Sequence, residues 1–150
     1  MGDPLSITAS ITTVLQLTGV VVKYLIDVQD ASKDRHSILV EISGINGLLF
    51  SLKDLASRAE SGETRLSAVR LLNVPGGPLE RFKFTLEQLE KKLAPAAGLS
   101  GVARALGWPF QKGEVKSILA TVGRLKLLFI LALQNDHMFV EHLLLFVIYH

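Results

Sequence analysis

The sequence predicts an all-α protein folded as a single four- to five-helix bundle. Apolar residues recur every three or four positions along most of the 150 residues, which is the period of a helix with one buried face. No stretch shows the sustained two-residue alternation of a half-buried strand. Amphipathic helices of this length bury their apolar faces by packing together, so we expect a bundle with short connections.

Length and composition narrow the class of protein. A chain of 150 residues with 49% hydrophobic residues can fill one core, so we expect one domain. The net charge is only +2, and the cations are scattered rather than interleaved with aromatic residues, which argues against nucleic acid as a partner. The chain has no cysteine, so disulfides and cysteine metal sites are excluded, and the expected compartment is the cytoplasm.

The first helix is predicted from Pro4 to about Val28, after the helix-start signal Asp3-Pro4. The nineteen residues from Pro4 to Val22 carry no charge, a length close to that of a bilayer span, but Ser, Thr and Gln residues dilute the segment. Lys23 follows the apolar stretch instead of preceding it, so we expect no secretory signal peptide.

One face of this first helix is strongly apolar and provides the candidate membrane or oligomer contacts. Those residues are Leu5, Ile7, Ile11, Val14, Leu15 and Val22. Their spacing alone favours ordinary core positions, whereas an uncharged helix can also leave a bundle and enter lipid. Both interpretations remain open at the level of sequence.

The second helix is predicted after the charged segment 27–35, in which Asp30, Ser32 and Asp34 are candidate caps. Its apolar stripe runs from Ile38 to Leu55, and Ser61-Gly62 is the expected stop.

A short helix is predicted over 64–72, followed by a loop at 73–78 that contains two prolines and two glycines. Pro78 is expected as the first residue of the third helix, whose apolar stripe begins at Leu79 and which should end at Pro95. A further short helix is expected around 102–106.

Trp108, Pro109 and Phe110 are predicted to form a structural anchor at a chain reversal, with an interfacial membrane anchor as the alternative for Trp108. The last helix should start near Glu114 and carry its apolar stripe through Leu133. It also carries basic residues that meet anionic lipid or simply solubilise an exposed face. These are Lys112, Lys116, Arg124 and Lys126.

The last thirteen residues, 138–150, form an atypical apolar tail. The run from Leu143 to Tyr149 is too short to span a bilayer as a separate helix. A buried final turn or an altered gene-model end is the favoured expectation, and binding of a membrane or a partner protein is the alternative.

The sequence gives little support for enzyme chemistry, and we expect no catalytic residue, cofactor or metal. The histidines at 36, 137, 142 and 150 form no HExxH pattern, and no P-loop motif is present. Gly76-Gly77 is typical of a turn, and Glu87 with Glu90 is typical of a solvated helix face.

Several segments, taken in order, resemble a fungal HeLo-like domain. They are MGDPLSITASITTVLQL, VKYLIDVQDASKDRHSILVEISGINGLLFSLKDL, LNVPGGPLERFKFTLEQLEKKLAP and LGWPFQKGEVKSILATVGRLKLLFILALQNDH. The resemblance covers residues 1–137, and the tail departs from it. Such domains stand at the amino terminus of fungal immune-receptor-type and ankyrin-repeat proteins.

The resemblance implies a cell-death signalling module that assembles with itself and then inserts its first helix into a membrane. The implied partners are further copies of the chain, membrane lipid and a receptor-type protein. The implied location is cytoplasmic, with membrane association on activation. The alternative is a non-enzymatic adaptor or regulatory bundle without membrane activity.

Overall fold

The computed structural model describes residues 4–28, 32–60, 67–98, 108–134 and 145–149, and every regular element in these ranges is a helix. The all-α prediction is therefore confirmed. The helices are α1 (Pro4–Asp27), α2 (Lys33–Glu60), α3 (Ser67–Leu72), α4 (Pro78–Gly98) and α5 (Lys112–Gln134), and residues 145–149 form a further helical turn.

Each of the four long helices packs against two of the others. The first of these helices packs against α2 and α4, and α5 packs against α2, α3 and α4. At the centre, the rings of Phe82 and Phe129 meet edge to face, with centroids 6.0 Å apart and planes at 71°. Both side chains are fully buried, and burial of such a side chain stabilises the fold by about 1.5–3 kcal/mol.

The start of α2 is set by Ser32. Its Oγ accepts a hydrogen bond from the backbone N–H of Arg35 at 3.1 Å, which satisfies one of the N–H groups left without a helical partner. Of the other two candidate caps, Asp34 lies inside the first turn of α2, and Asp30 lies outside the described residues. Ser61-Gly62, the expected stop of α2, also lies outside the described residues.

The loop before α4 is a tight turn that only glycine can complete. Gly76 has φ +72°, and the N–H of Gly77 donates to the Val74 carbonyl at 2.8 Å. A Cβ on Gly77 would lie 2.8 Å from that carbonyl oxygen. The turn delivers Pro78 to the first position of α4, as predicted, where its missing N–H costs the helix nothing.

The prediction that Pro95 ends the third helix is wrong, because α4 continues to Gly98. Proline removes one backbone donor, but its fixed φ is helical, and the flanking Ala94, Ala96 and Ala97 have the highest helix propensity. The predicted short helix at 64–72 begins at Ser67 in the described residues, and the one at 102–106 lies outside them.

The last long helix begins at Lys112, two residues before the predicted start. Gln111 is its cap: the Gln111 carbonyl accepts from Val115 N–H at 3.1 Å, and the Gln111 N–H donates to Glu114 Oε1 at 3.1 Å. Glu114 thus occupies the third helical position, where a carboxylate reaches back to the cap.

The favoured expectation of a buried final turn is wrong for the described part of the tail. Within residues 145–149, Leu145, Val147, Ile148 and Tyr149 are all exposed, Tyr149 by 74%. A single helical turn spreads consecutive side chains around its axis, so an uninterrupted apolar run cannot bury all of them. Residues 138–144 lie outside the described residues.

Candidate membrane-active helix

The predicted contact face of α1 lies in the core of the bundle. Ile7 and Ile11 are fully buried, Val14 and Leu15 are buried, and Val22 is half-buried against the same cluster. Leu5 belongs to α1, but its side chain lies outside the described residues. The face is therefore part of the core in this conformation. It would have to separate from α2 and α4 before it could contact lipid.

Sequence reasoning missed two members of this face, Thr18 and Val21, both of which are fully buried. The signal was present in the spacing, because positions 14, 18, 21, 25 and 28 continue the helical period. Thr18 interrupted it by residue type, since a hydroxyl is not expected in an apolar stripe.

The threonine hydroxyls of α1 are bonded within the helix itself. The Oγ1 of Thr18 donates to the Val14 carbonyl at 2.7 Å, and the Oγ1 of Thr12 donates to the Thr8 carbonyl at 2.8 Å. Thr13 makes the same bond to the Ala9 carbonyl at 3.1 Å. A hydroxyl satisfied in this way needs no water, so these residues cost less in hydrocarbon than their polarity implies.

The opposite face of α1 is exposed and contains small or polar residues, with Ile26 as the exception near its end. It comprises Ala9, Thr13, Gln16, Gly19, Lys23 and Ile26. Lys23 is the first charge on it, so the outward surface of the first four turns is uncharged as well. Both sides of the helix are thus free of charge over the same stretch.

Within the described residues, one helix is long and apolar enough to cross a membrane by length and composition, namely α1 over Ile7–Asp27. Its mean hydropathy is 1.5, and 28% of its most apolar window is buried in the bundle. Core helices of soluble proteins and signal sequences meet the same criteria, so length and composition alone are weak evidence for a span.

The aromatic segment 108–110 packs at the start of α5. Phe110 is buried, and Trp108 and Pro109 are partly buried. The ring centroids of Trp108 and Phe110 lie 5.0 Å apart. The ammonium of Lys92 stands 5.3 Å from the centroid of Phe110. The Nε1 of Trp108 is buried and has no hydrogen-bond partner among the described residues, so what the structure shows of this residue is the packing of its ring.

An ion pair joins α4 to α5 beside these rings. Lys92 Nζ contacts Glu114 Oε2, and the same carboxylate accepts the N–H of Gln111. The hydrogen bond from Lys92, followed by that from Gln111, holds the pKa of Glu114 below its ordinary value of 4.5. The pair is half-exposed, so it orients the two helices more than it stabilises them.

The side chains that the sequence raised as candidates for chemistry are spread over the described part of the bundle. There, no three His, Cys, Asp or Glu side chains lie close enough to hold a metal ion. His36 is exposed, and the other three histidines lie outside the described residues. Gly76-Gly77 forms the turn described above, and Glu87 lies on the exposed face of α4.

Comparison with family models, curated proteins and solved structures gave no match. What the fold and the site define is a class: an all-α bundle whose first helix is uncharged over its first nineteen residues and supplies much of the core.

Proposed function

We propose that the chain is a membrane-targeting effector module of the HeLo-like type, in which α1 leaves the bundle and enters lipid after self-association. The observation that carries this proposal is the chemistry of α1. Its first nineteen residues are uncharged on every side, and three of its threonine hydroxyls are bonded to its own carbonyls. The sequence resemblance to HeLo-like domains supports the same function.

A second candidate, a non-enzymatic adaptor, is favoured by the burial of the apolar face of α1. Release of that face removes Ile7, Ile11, Val14 and Leu15 from the core. Exposure of each such side chain costs about 1.5–3 kcal/mol, so release requires compensation from lipid or from other copies of the chain. An adaptor keeps α1 in place and requires no such compensation.

The two functions are separated by charges placed on the exposed side of α1. Thr13→Lys with Gln16→Lys alters outward positions, so the bundle should stay folded. In hydrocarbon each lysine near the centre of the span costs about 2.5–3.5 kcal/mol, which opposes insertion. The matched control is Ser43→Lys with Gln88→Lys, which adds the same charge to exposed positions on α2 and α4.

The measurement is dye release from vesicles by the full chain and both variants, with circular dichroism to confirm folding. If the chain is an effector, the unmodified chain and the control variant should both release dye, and the α1 variant should not. Equal release by all three proteins rejects insertion of α1. No release by the unmodified chain favours the adaptor.

A further inference from the structure

The solvent-facing side of α5 combines positive charge with an exposed leucine. We define the α5 outer face as Lys112, Lys116, Ala120, Arg124 and Leu127, which recur at spacings of four, four, four and three residues and are all exposed. The core residues Val115, Val122, Leu125 and Phe129 lie on the other side of the same helix. The five residues extend along about 22 Å of helix.

The three cations of the α5 outer face are available to a partner. None of them makes an ion pair with a residue in the described ranges, and no acidic residue lies on the face. The other charges of α5 are engaged, because Glu114 pairs with Lys92 and Lys126 lies 3.6 Å from Glu41.

The exposed face of α4 shows what a merely solvated surface looks like in this bundle. Arg81, Lys83 and Lys91 are interspersed there with Glu80 and Glu87. Opposite charges at such spacings offset one another and leave little net field. The α5 outer face has no such compensation and therefore favours an anionic partner.

Apolar exposure accompanies this charge. Leu127 is 48% exposed, one turn beyond Arg124, and the partly buried Ile130 and Leu131 follow it. Cations on a surface without a balancing acidic residue attract the negative headgroups of anionic lipid. An exposed leucine beside such cations adds apolar area that can enter the interfacial layer.

We propose that the α5 outer face docks the protein on the surface of a membrane containing anionic lipid. Lys112, Lys116 and Arg124 contact the headgroups, and Leu127 enters the interfacial layer. The inference rests on the proposed function for its target, since it names the surface through which the bundle reaches the membrane before α1 acts. Docking itself requires no release of α1.

The test measures binding of the full chain to vesicles of phosphatidylcholine, with and without phosphatidylserine, by flotation. The variant is Lys112→Gln with Lys116→Gln and Arg124→Gln. Each cation near an anionic surface contributes about fivefold in affinity, so the variant should bind phosphatidylserine vesicles roughly 100-fold more weakly. Added salt should also weaken binding of the unmodified chain to phosphatidylserine vesicles.

The matched control is Lys33→Gln with Lys83→Gln and Lys91→Gln, which removes the same charge from exposed positions on α2 and α4. Close to unmodified affinity is expected for it. If both triple variants lose the same amount of affinity, binding depends on the net charge of the protein and not on the α5 outer face, and the proposal is overturned. Leu127→Gln should weaken binding while the salt dependence stays unchanged.

Three further results would overturn the proposal: no binding of the unmodified chain to either vesicle, equal binding to both, or tighter binding to polyglutamate than to phosphatidylserine vesicles. The last would assign an acidic polypeptide to the face. Dye release is scored separately. Binding that depends on α5 without dye release upholds docking and rejects insertion, whereas release that survives loss of the three cations upholds insertion and rejects docking through α5.

Discussion

Arg35 of α2 donates a hydrogen bond from its Nη1 to the carbonyl oxygen of Leu25 in α1, at 3.1 Å. Leu25 is in the last turn of α1, where carbonyl groups have no partner within the helix. The positive charge of a guanidinium at this end also interacts favourably with the negative pole of the helix dipole. One side chain of α2 therefore closes the end of α1.

Replacement of Arg35 with Met should lower the free energy of unfolding by about 1.5 kcal/mol, the low end for a hydrogen bond to a charged group. We expect the low end because the Nε of Arg35 is buried and has no hydrogen-bond partner in the described part of the chain. Urea unfolding measures the change. The control Arg70→Met alters an exposed arginine of α3 and should stay within about 0.5 kcal/mol. Equal effects would show that Arg35 contributes only its charge.

Gly77→Ala should destabilise the bundle by about 2 kcal/mol, because the new Cβ would overlap the Val74 carbonyl and force the turn to shift. The comparison is Gly19→Ala on the exposed face of α1, where, among the described residues, no atom outside the local helix backbone lies within 4 Å of the added methyl group. There alanine should stabilise the helix by about 0.5–1 kcal/mol. Thermal unfolding gives both values, and the same sign for both would contradict the description of the turn.

Glu114 should contribute to stability only above the acid range. Its pKa is lowered in the folded state, so the contribution is complete above the ordinary value of 4.5 and is lost as the pH falls through the lower folded value. Glu114→Gln should therefore show a smaller loss of stability between neutral pH and acid pH than the unmodified chain. Denaturant unfolding across pH measures it. When Lys92 is replaced with Met in both proteins, the difference in pH dependence between the chain that keeps Glu114 and the Glu114→Gln variant should become smaller. An unchanged difference would show that Lys92 is not the main cause of the lowered pKa of Glu114.

The exposed tail should promote self-association without stabilising the fold. Ile148→Ser with Tyr149→Ser alters side chains that are 68% and 74% exposed, so the melting temperature should not fall, whereas light scattering should decrease. The control is Phe84→Ser, at a residue on α4 that is 61% exposed. An equal decrease with the control would indicate general surface hydrophobicity and not a property of the tail.

The long helices were predictable because their signals are local. The stripe of α2 from Ile38 to Leu55 and the start of α4 at Pro78 depend on spacing and on a single backbone property, and both are present in the structure. Pro95 was misjudged for a related reason: a local stop signal was outweighed by the alanines on either side of it.

The relations between helices were not predictable in the same way. Lys92 and Glu114 stand 22 residues apart, and their contact depends on how α4 and α5 cross, which no short window of sequence contains. The spacing along α1 favoured core positions for its candidate face, and Ile7, Ile11, Val14 and Leu15 are buried in the structure. Spacing within one helix does not show which other element covers a face, and for the same reason it did not show that the tail is left exposed.

The two neighbours of α1 arrive at different times during synthesis. The adjacent α2 can pair with it early, but α4 follows only after all of α2 and α3 has been made. Contacts that close a long stretch of chain form slowly, since the entropy of that stretch is lost first. Until α4 has been made, the part of the apolar face of α1 that α4 covers remains exposed on the nascent chain, where it is open to chaperones and to non-native contacts.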